Sequence, residues 1–344
     1  MRYRKLGNTG LDVSELGFGG IPILRLETAE AERIVRHAYD KGINFFDTAN
    51  AYRDSEDKMG RTFEGIRHKV ILATKTMRRD GAGAGEQLEQ SLRLLRTEYI
   101  DIYQFHQVAQ ENAWEAITAP GGALEVLQKA KQAGKIRFLG VTSHSRPMAL
   151  KLIQTGLFST VQFPFNFIEE AAKDDLHPEA HRLGLGVLAM KPFAGGVIDN
   201  AAVAFKYLRQ FPEVLPLPGF DSVASVDEVT SFYESPNAVS QDDQEKMAIY
   251  RRDLGQQFCR RCEYCQPCPQ GVMITPAMAY RVIAKRMSAK VAIEFSRAPM
   301  ETVLKCVECG ICVERCPYEL PIPKMLKEHY ELWQNHCREE KFRV

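Results

Sequence analysis

The chain has 344 residues, more than one ordinary core accommodates, so a large domain with a smaller one is expected. Its 45 Lys and Arg nearly balance 44 Asp and Glu, a formal net charge of +1, and no global field draws it to nucleic acid or an anionic membrane. No run is apolar enough to span a bilayer, and Met1-Arg2-Tyr3-Arg4-Lys5 leads into polar residues rather than a leader, so a cytoplasmic protein is expected.

In chain order, short apolar runs lie at residues 15–18, 43–46, 70–73, 99–103, 138–141, 160–163, 187–190 and 214–217, and read as buried strands. Between them apolar residues recur at i, i+3, i+4, i+7: Ala31, Ile34, Val35, Ala38; Leu88, Ser91, Leu92, Leu95; Ala123, Val126, Leu127, Ala130. That spacing buries one face of a helix. Regular alternation implies right-handed βαβ units, an α/β parallel sheet, and closure of eight strands into a (β/α)8 TIM barrel. An open doubly wound sheet is the rival, but no Gly-x-Gly-x-x-Gly follows an early strand. Gly81-Ala82-Gly83-Ala84-Gly85 reads as a flexible loop. Ser235-Pro236-Asn237 breaks the pattern, and a polar helix over 244–250 is expected to lead out of the barrel. Domains are therefore expected at 1–255 and 256–344.

Chemistry in such a barrel belongs at the C-terminal ends of its strands. Asp47, Tyr52, Lys75 and His106 fall there. Tyr52 suits proton donation to a developing alkoxide, Lys75 would lower its pKa, Asp47 would hold Lys75 charged, and His106 would orient the carbonyl. Each residue alone also has a plain reading as a loop contact or packing group. Four of them on three successive strand ends favour function.

Arg4-Lys5-Leu6-Gly7-Asn8-Thr9-Gly10-Leu11-Asp12-Val13-Ser14, Phe46-Asp47-Thr48-Ala49 with Tyr52, and Ser91-Leu92-Arg93-Leu94-Leu95, Tyr99-Ile100-Asp101 with His106 resemble motifs of the aldo-keto reductase family. The resemblance covers about residues 2–255 and implies a catalytic tetrad of Asp47, Tyr52, Lys75 and His106. It also implies nicotinamide contacts at Thr142, Ser143 and Gln162. Where many members stack a Tyr on the nicotinamide, this chain has Met190-Lys191-Pro192; Lys191 is either a phosphate contact or a solvated lysine. The adenosine phosphates would fall at Pro218-Gly219-Phe220-Asp221-Ser222, where Asp221, with no Arg or Lys near it in sequence, would repel a 2′-phosphate. The cofactor is thus expected to be NADP(H) or NAD(H), and the loop 107–122 with Trp114 is expected to shape the pocket.

All nine cysteines lie beyond residue 258, a gathering that suits metal binding rather than disulfides. Cys259, Cys262 and Cys265 precede Cys268-Pro269, and Cys306, Cys309 and Cys312 precede Cys316-Pro317. Tandem triplets before Cys-Pro do not fit zinc, which needs pairs separated by a longer loop. The two runs resemble two-cluster bacterial ferredoxins, and so imply a small, mainly helical domain with two [4Fe-4S] clusters. One would take Cys259, Cys262, Cys265 and Cys316, the other Cys306, Cys309, Cys312 and Cys268, although Cys268 comes one residue early. Cys337 is left over as an ordinary thiol.

The expected function is hydride transfer between NAD(P)(H) and a small carbonyl or alcohol, with the clusters serving electron transfer or structure. A hydride carries two electrons and a cluster takes one, with no flavin motif visible, which leaves room for a redox partner protein. The alternative is an electron-transfer subunit whose barrel binds a partner or senses a nicotinamide.

Overall fold

The computed structural model describes residues 1–255 and 257–341. It begins with an antiparallel hairpin, β1 (Tyr3–Lys5) and β2 (Asp12–Ser14). Eight parallel strands follow: β3 (Phe18–Gly19), β4 (Phe45–Asp47), β5 (Ile71–Thr76), β6 (Ile100–Phe105), β7 (Ile136–Thr142), β8 (Thr160–Pro164), β9 (Gly186–Met190) and β10 (Val214–Leu217). They pair in sequence order, each with the next, and helices fill the connections. The barrel closes where Gly17 N donates to Pro216 O at 3.0 Å and Gly19 N to Pro218 O at 2.7 Å. The expected strands are therefore present, with ends displaced by at most three residues.

Leu6, Leu11 and Val13 of the hairpin pack with Phe45, Ile71, Ala73, Ile102, Leu188, Leu215 and Leu217 in one buried cluster. The hairpin thus plugs the N-terminal end of the barrel, held by a hydrogen bond from Asn8 N to Gly184 O at 2.8 Å. Gly7 is needed there. Its φ is +49°, and a Cβ would lie 2.4 Å from Gly186 N.

The glycine run at 81–85 is not a loop: it opens the helix Gly81–Leu94. Asp80 caps that helix by accepting from Gly83 N at 2.7 Å, and Leu88 and Leu92 bury its apolar face. The glycines serve close approach instead, since a Cβ on Gly81 would lie 2.6 Å from Gly121 O.

The chain forms two compact units: Met1–Ala194 with Asn200–Val239, and Gly195–Asp199 with everything from Ser240 on. The polar helix expected at 244–250 runs over Gln241–Gly255 and groups with the second unit. Gln256, where the second domain was expected to begin, lies outside the described residues. Among its described residues the regular elements of the second unit are all helices, the longest being Ile322–Glu339, joined by irregular segments that carry most of the cysteines. Trp333, Tyr280, Ile293, Met300, Leu326 and Cys337 form its core, so the leftover cysteine is a packing group.

Candidate active site and cysteine sites

β4 ends at Asp47, β5 carries Lys75, and His106 follows β6, so three neighbouring strands deliver three polar side chains to one end of the barrel. Lys75 Nζ donates to Asp47 Oδ2 at 2.7 Å and to Thr48 O at 2.5 Å. Asp47 also accepts from Gln104 Nε2 at 3.2 Å and Gln162 Nε2 at 3.4 Å. Tyr52, half-buried in the turn after β4, lies with its ring 5.3 Å from Lys75 Nζ and edge-on to the His106 ring at 5.8 Å between centroids. The four tetrad residues therefore meet.

Burial pushes the Lys75 ammonium down from the usual lysine range, and the Asp47 carboxylate opposes that shift. Burial also lifts the Asp47 carboxyl, against the pull of Lys75. His106 is held well below the usual histidine range, first by burial and then by the charges of Lys75, Arg79 and Lys191, so its ring is neutral at physiological pH. Its Nδ1 is buried with no hydrogen-bond partner.

The residues expected at a nicotinamide behave unequally. Gln162, in β8, is buried, and its Oε1 has no partner. Thr142 turns its hydroxyl to Gln107 N, which donates to it at 2.8 Å, so Thr142 positions the loop after His106. Ser143 Oγ is engaged with the Ser145 backbone, donating to its carbonyl and accepting from its N–H, both at 3.1 Å. Met190 ends β9, and Lys191, at φ +60°, contacts the His144 ring. Gly219 bridges Gly19 across the barrel seam.

Two expectations are corrected. Asp221 is not an isolated charge, because Arg25 Nη2 donates to it at 2.8 Å across 196 residues of sequence. Trp114 lies in the helix Glu111–Thr118 and is occupied in packing edge-on against Phe158, with 6.0 Å between centroids. Asp101 of the quoted motif holds the barrel together: it pairs with Arg67 and Arg137, each at 2.7 Å. Sequence reading passed over Glu56, wholly buried beside this site, because a lone glutamate in a turn-helix segment carries no pattern.

In the second unit Cys259, Cys262, Cys265 and Cys316 line one cavity together with Ile274, Tyr318 and Leu320. Cys265 also lines another, together with Cys268, Cys306, Cys309 and Cys312. Among the described residues no group of three or more Cys, His, Asp or Glu side chains is gathered closely enough to hold a single metal ion. Left-handed residues at Arg261, Glu263 and Glu308 curl the chain between successive cysteines. Burial lifts the Cys259 thiol to about 11 and Cys265 to about 12. Cationic iron reverses that balance by stabilising thiolate, so the donor set suits a buried metal cluster.

Fold and site together define a barrel oxidoreductase with a separate cysteine-ligand unit. Residues 15–236 match the aldo/keto reductase family, and residues 258–320 match a 4Fe-4S dicluster domain. The chain belongs to the aldo/keto reductase family and has a 4Fe-4S domain at its C-terminal end. It is 31% identical over 258 residues to the uncharacterized oxidoreductase YqkF of Bacillus subtilis, covering 70% of this chain and 79% of that protein. It is likewise 31% identical over 219 residues to L-galactose dehydrogenase of Arabidopsis thaliana, covering 58% and 68%. The holo form of aldo-keto reductase AKR11C1 from Bacillus halodurans superposes with a TM-score of 0.63 at 24% identity, over 73% of this chain and 96% of that one. An aldo-keto reductase from Klebsiella pneumoniae in complex with NADP and acetate does so at 0.59 and 20% identity, over 73% and 96%. No helix among the described residues is long and apolar enough to cross a membrane.

Proposed function

We propose that the barrel reduces a small carbonyl compound, or oxidises the matching alcohol, using NADP(H) or NAD(H). The observation that carries this reading is the buried Lys75–Asp47 pair beneath the Tyr52 and His106 rings. The unpartnered Oε1 of Gln162 fits a cofactor carboxamide, which offers N–H donors. When bound, the nicotinamide would supply or accept the hydride. Tyr52 gives its hydroxyl proton to the carbonyl oxygen as that oxygen gains charge, becomes tyrosinate, and is reprotonated from solvent. Lys75, kept charged by Asp47, stabilises the tyrosinate. His106, neutral, donates a ring N–H to the carbonyl oxygen and orients it. Arg25 neutralises Asp221 and so removes the objection to a 2′-phosphate. The test is oxidation of NADPH or NADH in the presence of a panel of aldehydes and ketones; turnover that survives Tyr52→Phe would overturn this reading.

We also propose that Cys259, Cys262, Cys265 and Cys316 hold one [4Fe-4S] cluster and Cys268, Cys306, Cys309 and Cys312 a second. The support is that Cys259, Cys262, Cys265 and Cys316 line one cavity while Cys268, Cys306, Cys309 and Cys312 line another that Cys265 also reaches, an arrangement that accommodates the early position of Cys268. Cys309 is exposed, so the second cluster is within reach of a one-electron redox partner protein. Iron and sulfide analysis of anaerobically purified protein tests it.

A further inference from the structure

The tetrad accounts for the inward face of β5 but leaves a polar site behind the strand unexplained. Lys75 points inward to Asp47, and its neighbour Thr74, on the opposite face, donates its hydroxyl to Glu56 Oε1 at 2.6 Å. Glu56 sits in the first turn of the helix Ser55–Phe63 and has no exposed surface. Its other oxygen accepts from Asn50 Nδ2 at 3.4 Å. Asn50 N in turn donates to Lys75 O at 3.1 Å, and Thr48 N donates to Ala73 O at 2.8 Å. Tyr52 N closes the same turn on Ala49 O at 2.8 Å, and Ser55 N closes on Tyr52 O at 2.9 Å. One buried carboxylate thus joins the strand that carries Lys75 to the turn that carries Tyr52.

A buried glutamate with two hydrogen bonds can be merely structural, as most such groups are. What argues for more is where both bonds end. They fall one residue before Lys75 and two before Tyr52; burial lifts the Glu56 carboxyl above the usual carboxylate range, while the Thr74 and Asn50 bonds and the nearby Lys75 ammonium oppose that lift and favour the charged form. The buried Ser91 hydroxyl, on the helix Gly81–Leu94, also faces Glu56, and the remaining groups around this pair are few. Asp47 faces Lys75 from inside, the Tyr103 phenol lies beside Glu56, and His106 senses Lys75, Arg79 and Lys191. Lys58, on the same helix, is turned away to Ile23 O, Leu26 O and Asp54.

We infer that Glu56 is a positioning residue for the reductase reaction: it fixes the Tyr52 turn to β5 and places a second negative charge behind Lys75. The inference rests on the tetrad reading above. Glu56→Gln keeps the shape and removes the charge. Loss of a negative charge favours the deprotonated forms of both Lys75 and Tyr52, so their pKa values fall and the basic limb of carbonyl reduction moves to lower pH.

The experiment compares holoenzyme from the wild type, Glu56→Gln and Thr74→Val with benzaldehyde and saturating NADPH or NADH across pH. For Glu56→Gln, kcat should fall about tenfold with KM within about twofold, the signature of lost transition-state positioning, and the basic limb should move down. Thr74→Val removes a bond and keeps the charge, so kcat should fall with the limb in place. In cofactor-free protein, the tyrosinate absorbance that Tyr52→Phe eliminates should titrate at lower pH in Glu56→Gln. Unchanged kcat and pH profile, or a loss of kcat and melting temperature with the profile unmoved, would overturn the inference. If Glu56→Gln does not fold, Thr74→Val decides by kcat alone, and wild-type kcat overturns it. A wild type that reduces no carbonyl compound condemns the tetrad reading instead.

Discussion

At the scale of single residues, the site depends on atoms that can be removed one at a time. Tyr52→Phe deletes one hydroxyl from a half-buried ring and should leave the fold intact. If that hydroxyl is the proton donor, steady-state assays should show kcat lower by about 100- to 10,000-fold. His177 offers a test of stability rather than activity. It is buried behind Phe165, neither ring nitrogen has a hydrogen-bond partner, and burial lowers it to about 4 from 6.5. The unfolded chain binds this proton below about pH 6.5 while the folded chain does not, so stability is lost as pH falls from 6.5 towards 4. Denaturant titrations at pH 7 and pH 5 should differ by about 2 kcal/mol from this group. The difference should shrink in His177→Leu; an equal acid sensitivity in the variant would place its origin elsewhere. The tetrad was legible at this scale because four reactive residue types stand just after apolar runs. Glu56 was not, because its meaning comes from Thr74 and Asn50, which no spacing rule associates with it.

At the scale of elements, caps and turns decide what composition leaves ambiguous. Gly81-Ala82-Gly83-Ala84-Gly85 has the composition of a loop, yet it forms a helical turn because Asp80 satisfies the Gly83 N–H and the apolar face after it is buried. Asp80→Ala should therefore lower stability by about 1 kcal/mol, read as a drop in melting temperature, since a glycine-rich first turn has little propensity of its own. The cysteine runs behave in the opposite way. Their short spacing brings Cys306, Cys309 and Cys312 to one cavity, and Cys265 and Cys268 come to it from elsewhere in the chain. If exposed Cys309 is a ligand of one of two clusters, Cys309→Ser should leave about four of about eight irons per chain by elemental analysis. Retention of all the iron would remove Cys309 from the ligand set.

At the scale of the whole molecule, the barrel and the cysteine unit are separate compact bodies. If the clusters accept electrons that originate in the barrel, anaerobic protein should bleach in the visible range when NADH or NADPH is added. If they serve another path, the spectrum should not change while carbonyl reduction proceeds. The sequence by itself determined the strand-helix alternation, the barrel, the placing of the four proposed tetrad residues near strand ends and the two cysteine runs, because each is written in local periodicity or short spacing. Only the tertiary structure decided the pairing of Asp221 with Arg25, the occupation of Trp114 in packing, the hydrogen bonds of Thr74 and Asn50 to buried Glu56 and the grouping of the cysteines around two cavities. Most of these join residues that chain folding brings together from far apart. Electrostatic and packing partners are set by distance in space, and a barrel closed between Gly19 and Gly219 makes neighbours of residues that the sequence keeps at opposite ends.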